Sequence, residues 1–173
     1  MKKLIFIFVC LTFLSPLKGK AEELDNFIGK VTTIVDIKNV DREAEAWARC
    51  SCVYSLASDL FSSKPAISKQ LKNLSNGAKF SIVMAHVADG IKNENITPEE
   101  FTALWNYSKT LIDTISETQT TLILAQIEAT EDTELIQKRL LNSLKICQDN
   151  SEYQQMYIDL YRSLGKSGLL VFK

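Results

Sequence analysis

Between Asp41 and Phe61 the apolar residues recur at helical spacing, and that phase restricts the possible folds more than any other feature of the chain. On a helix at about 100° per residue, Ala46, Cys50, Val53, Tyr54, Ala57, Leu60 and Phe61 fall within roughly 120° of arc. Trp47 and Arg49 lie at the edges of that arc, and Asp59 lies well outside it. Cys50 stands near the middle of the apolar face. Cys52 turns about 200° from it, toward the polar side, so two neighbouring cysteines meet different surroundings.

The same periodicity continues down the chain. A first helix is expected from about Val40 to Ser62, ended by Ser63, Lys64 and Pro65. A second follows from Ala66 to about Lys92. Asn76-Gly77 ordinarily marks a turn, but Ile67, Leu71, Leu74, Ala78, Ile82 and Ala85 keep one phase across it, so a single helix is expected. Gly90 and Asn93 close it. Thr97-Pro98-Glu99-Glu100 then opens a third helix with an N-cap, a proline in the first turn and a capping box. Apolar phase carries that helix to about Ala129, with Thr114–Thr121 as a place where it can bend. A fourth helix is expected over Glu134–Gln148. A fifth is expected from Ser151 to Leu164, with Gly165 as its C-terminal cap. Residues 22–40 read as a short helix or an extended lead-in, because the β-branched run VTTIVDI suits either. The expected fold is all-α: one domain over 41–173, an irregular bundle of four to five helices. The tail KSGLLVFK is apolar enough to pack back on it.

The first 21 residues read as a removable signal peptide. Lys2 and Lys3 precede an apolar run, Leu4–Leu17, shorter than the ~20 residues a membrane helix needs, and Gly19 and Ala21 suit a peptidase that cuts after Ala21. Lipidation at Cys10 is the weaker alternative, since Ile7-Phe8-Val9 lacks small residues. An uncleaved anchor is another, if Lys18 and Lys20 impede cleavage. The compartment is therefore periplasmic or extracellular, with no membrane association after cleavage. Four of the 20 basic residues and none of the 21 acidic ones lie in this segment, so the remainder carries 16 against 21, a net charge near −5. That balance argues against nucleic acid, whose phosphates need a basic footprint, and against charge-driven binding to anionic lipid.

Three cysteines remain beyond residue 21: Cys50, Cys52 and Cys147. An exported chain can keep a disulfide. Cys50 and Cys147 both lie on apolar faces, so Cys50–Cys147 is the favoured pair over Cys52–Cys147 or free thiols. Cys52 is left as an odd thiol. Cys50-Ser51-Cys52 in mid-helix splays its side chains and does not suit a redox couple.

Site candidates are few. His86, the only histidine, has no second ligand at helical spacing and no nucleophile placed beside it, so a partly buried structural role is expected. Glu128, Glu131, Asp132 and Glu134 cluster at a helix junction without EF-hand spacing, which fits acids at a helix N-terminus. No metal or other cofactor is expected. Two stripes stand out. Phe80, Met84, Val87 and Ile91 give the second helix another apolar face, which suits a central position in the bundle or a partner surface. Tyr153, Tyr157 and Tyr161 form an i, i+4 row on the last helix, suited to core packing or binding. Together these seven residues form the candidate partner interface.

The leading functional expectation is a small exported protein that works by protein–protein contact, either as a homodimer or as an inhibitor. In size and compartment alone it is similar to periplasmic immunity-type proteins. A binder of an apolar small molecule or lipid inside the bundle is the alternative. An enzyme whose site is assembled from distant carboxylates and His86 is the third.

Overall fold

The computed structural model describes residues 25–31, 33–92 and 96–169, which form an all-α bundle of five helices. They are α1 (Val40–Leu60), α2 (Pro65–Ile91), α3 (Pro98–Glu128), α4 (Thr133–Asp149) and α5 (Ser151–Lys166). The expected signal segment 1–21, Asn93, Asn95 and the last four residues of the tail lie outside the described residues.

Three of the helices start where a side chain satisfies free N–H groups of the first turn. Asn39 caps α1 by accepting from the Arg42 amide at 2.9 Å. Thr97 and Glu100 form the expected capping box on α3. Asp132, one of the clustered acids, caps α4 by accepting from the Glu134 and Leu135 amides. At the far end of α5 the expectation changes: Gly165 remains inside the helix, and Gly168 takes the left-handed turn at φ 81°. The helix runs two residues past Leu164, which is buried, and ends at Lys166.

α1 is the central element and packs on α2, α3 and α4. Trp47, Cys50 and Val53 are fully buried on it, and Ala44, Ala48 and Ser51 keep its other sides slim enough for neighbouring backbones to approach. α2 runs antiparallel to α1, held by two serine clamps. Ser51 and Ser75 hydroxyls meet at 3.0 Å, and Ser75 donates to the Ser51 carbonyl at 2.9 Å. Further along, Ser58 and Ser68 meet at 2.9 Å, and Ser58 donates to the Ser68 carbonyl at 3.0 Å. Burying paired hydroxyls in this way avoids the cost of an unsatisfied polar atom and fixes the register of the two helices. α3 crosses both: Arg49 donates through Nε to Gln119 Oε1 at 2.7 Å. Gly90 lies so close to α3 that an added Cβ would stand 2.6 Å from Leu104 Cδ2, so a glycine is needed for the close approach of α2 and α3.

The Cys50–Cys147 disulfide joins α1 to α4 across 97 residues of sequence, as the helical phase of both cysteines requires. Among the described residues Cys52 is the free cysteine, and here the expectation is corrected. It does turn away from Cys50, but that side is covered as well, leaving Cys52 5% exposed. A helix packed on three neighbours has no polar side at its middle.

The described residues of the lead-in form neither a strand nor a regular helix. It is irregular backbone with a single 3-10 turn, Ile34–Asp36, and it buries Phe27, Ile28 and Ile34. Polar side chains of α4 and its end hold it. Phe27 donates its amide to Ser143 Oγ at 2.8 Å, Arg139 pairs with Asp25 at 2.8 Å, and Ile34 donates its amide to Asn150 Oδ1 at 2.8 Å. Asn150 is 1% exposed and also donates through Nδ2 to the Ile146 carbonyl at 2.8 Å. Asn150→Ala leaves the buried Ile34 amide without an acceptor and is expected to cost about 2 kcal/mol, measured as a lower urea midpoint at unchanged slope.

Candidate functional site

Most of the seven candidate interface residues form an internal seam. Met84 and Val87 are fully buried and Tyr157 is 4% exposed, which removes all three from any partner surface. Phe80, Ile91, Tyr153 and Tyr161 are half-buried against the same core. Phe80 meets Tyr161 edge-on at 5.1 Å, and Tyr161 stacks on Trp105 at 5.6 Å. The second apolar face of α2 is therefore covered by α3 and α5 of its own chain, the central position that the pattern allowed.

A polar centre lies inside the bundle. Glu43 is buried, and its Oε1 accepts from Trp47 Nε1 at 3.3 Å and from the Tyr157 hydroxyl in a short hydrogen bond. Loss of hydration raises the Glu43 carboxyl above its ordinary range, although both hydrogen bonds act the other way. Burial likewise raises the Tyr157 phenol, helped by the adjoining carboxylate. His86 is buried nearby on α2. Desolvation lowers its pKa, against opposing pulls from Asp41 and Asp89, and its Nε2 has no hydrogen-bond partner. Tyr54 is buried too, and its phenol is pushed up to about 12, first by burial and then by Asp149. Glu43 and Tyr157 are locked to each other within the core, so they brace α1 against α5 and present no reactive group to solvent.

The concave surface lies on the opposite side of α1. It is an open groove of about 550 Å³ between α1, α2 and α3. α1 supplies Ser51, Cys52, Ser55 and Asp59 to its lining, and α2 supplies Ser75 and Lys79. α3 supplies Ser116, Glu117, Thr120 and Thr121, while Leu56 and Leu124 provide apolar flanks. The serine clamp between Ser51 and Ser75 forms part of the floor, so the wall is held by hydrogen bonds already made. Cys52 also faces this floor; burial raises its thiol pKa, partly offset by a hydrogen bond with Thr120. A thiol in that state is a poor nucleophile.

Ser116 is the residue that sets the groove apart. It is 8% exposed, and its Oγ has no hydrogen-bond partner. Other hydroxyls of α3 donate to the carbonyl one turn back: Thr102 to Pro98, Ser108 to Leu104, and Thr118 to Thr114. Ser116 is on the same helix and does not, although buried hydroxyls are normally paired.

The groove is hydroxyl-rich because of a pattern that a search for apolar faces passes over. Ser51 and Ser55 on α1, and Ser116 and Thr120 on α3, stand at i, i+4 and so share a side. Among the described residues no group of three His, Cys, Asp or Glu side chains is gathered to hold a metal ion. No described helix is long and apolar enough to cross a membrane. No protein-family model matches the chain, and neither a curated protein nor a solved structure resembles it significantly.

Proposed function

We propose that this chain is an exported, non-catalytic binding protein that takes a segment of a protein partner in the groove between α1, α2 and α3. Export is supported by the signal-like residues 1–21 and by the Cys50–Cys147 disulfide, which suits an oxidising compartment. Contact rather than chemistry is supported by the buried, interlocked state of Glu43 and Tyr157 and by the raised thiol of Cys52. The observation that carries the reading is Ser116 Oγ, a buried hydroxyl with no partner, in a groove whose Ser51 and Ser75 hydroxyls are already paired. A polar segment laid there supplies the missing hydrogen bond without rearranging the helices. The hydroxyl-lined, open shape does not favour an apolar small molecule or lipid, which needs a concave and mostly apolar enclosure.

The test is to block the groove from its exposed rim. Ser55→Trp and Thr121→Trp place bulk over it at two exposed positions. Partner capture from the periplasm or culture fluid, repeated with the purified components, is expected to succeed with the wild-type protein and fail with both variants at unchanged helical content. Equal binding by all three proteins rules the groove out as the contact surface. If the captured partner is a second copy of the chain, light scattering will show a dimer that the variants lack.

A further inference from the structure

We infer that the partner segment held in this groove is basic, and that its lysine or arginine side chains pair with the carboxylates Asp59 and Glu117 of the lining. The inference rests on the groove being the contact surface and adds the chemical class of what enters it. Asp59 and Glu117 are exposed carboxylates on opposite walls, one from α1 and one from α3. The ion pairs among the described residues are Asp89–Lys92, Asp25–Arg139 and Asp159–Arg162, and neither carboxylate takes part in them. Among the described residues Lys79 is the single cation of the lining and is in none of these pairs either, so the described lining carries a net negative charge.

The hydrogen-bonding inventory points the same way. An ammonium carries three donors and no acceptor, and a guanidinium carries five donors and no acceptor. Ionised carboxylates and hydroxyl oxygens are the acceptors that such a head group needs, and this lining is made largely of them. The apolar flanks Leu56 and Leu124 suit the methylene stem of a long basic side chain, which packs on apolar surface while its charged end stays polar. The wider charge agrees: beyond residue 21 the chain carries 16 basic against 21 acidic residues, a balance that draws a cationic segment at long range.

The experiment is an amide-resonance titration of the isotope-labelled chain beginning at Glu22, with its disulfide intact. The probes are capped glycine–serine pentapeptides whose central residue is lysine, norleucine or glutamate. The lysine peptide is expected to shift resonances of 51–59 and 116–124 and to bind about tenfold tighter than the glutamate peptide. Its affinity should fall as salt is raised. Asp59→Asn combined with Glu117→Gln changes exposed groups only and is expected to abolish the lysine preference at unchanged circular dichroism. Norleucine binding as tightly as lysine at the same resonances overturns the charge assignment and leaves the groove standing as the contact surface. So does a preference for glutamate. No groove shift with the lysine peptide overturns the inference whatever the other peptides do. Unimpaired partner binding by Ser55→Trp and Thr121→Trp is the separate result that removes the groove reading itself.

Discussion

Breaking Cys50–Cys147 is expected to lower the unfolding free energy by about 4–5 kcal/mol, the largest single effect on this fold. The estimate follows from closing a loop of 97 residues in the unfolded chain, where most of the stabilisation arises in the chain-entropy description. The native side adds to it. Cys50 and Cys147 are both fully buried, and the bond lies where the lead-in, α1 and α4 meet. Its loss therefore loosens the attachment of Phe27 and Ile34 as well as of α4. The clean measurement compares Cys52→Ser with the Cys50→Ser, Cys52→Ser double variant in urea, so that Cys52 cannot pair with the Cys147 left behind. Cys52→Ser alone is expected to cost under about 1 kcal/mol, because a hydroxyl can keep the hydrogen bond to Thr120 in nearly the same volume. Small and equal effects in both comparisons would overturn the assignment of the disulfide as the principal tie.

Glu43→Ala is expected to cost about 3–4 kcal/mol, since one truncation leaves two buried donors, Trp47 Nε1 and the Tyr157 hydroxyl, without their acceptor. Glu43→Gln separates that loss from the charge. The amide oxygen can still accept from both donors, but nothing titrates. Glu43 has its folded pKa above the ordinary 4.5 because of burial. An acid shifted upward contributes stability that is fully present below its unfolded pKa and lost as pH rises through its folded pKa. The wild-type protein is therefore expected to lose stability relative to Glu43→Gln as pH rises from about 4 toward neutrality. His86 has the opposite sense: its folded pKa lies below 6.5, so its contribution is present above that value and lost as pH falls through the folded pKa. Urea midpoints of the two proteins at matched pH give the Glu43 part by difference, because His86 is common to both. Parallel pH profiles would show that Glu43 does not titrate in this window.

The groove was only half legible from the residues. Serines at 51 and 55, and hydroxyls at 116 and 120, are visible as i, i+4 pairs. Nothing local says that the side of α1 bearing one pair faces the side of α3 bearing the other. The tyrosine and second α2 stripes left core packing and a partner surface both open for the same reason. An apolar or aromatic row shows that a face is covered, and it is silent on whether the cover is another helix of the chain or a second molecule. Here Tyr161 lies between Phe80 and Trp105, residues 81 and 56 positions earlier in the chain.

What the amino-acid order determined by itself is everything that depends on neighbours within a few residues. Helical phase, the Thr97–Glu100 capping box, the continuity of α2 through Asn76-Gly77 and the opposed directions of Cys50 and Cys52 all belong to this class. So does the disulfide, because two cysteines centred on apolar faces had one interior to share. What only the tertiary structure decided is which polar groups lie inside. Glu43 is a charged residue inside the bundle, and it is paired there because Tyr157, 114 residues away, brings it a donor. Cys52 is off the arc and buried because α3 closes over it, and Ser116 is buried without a partner because α1 and α2 meet beside it. Periodicity records the average environment of a helix face. Whether one polar atom is buried, paired or left open depends on the single neighbour that packing brings to it, and that neighbour is set by the whole chain.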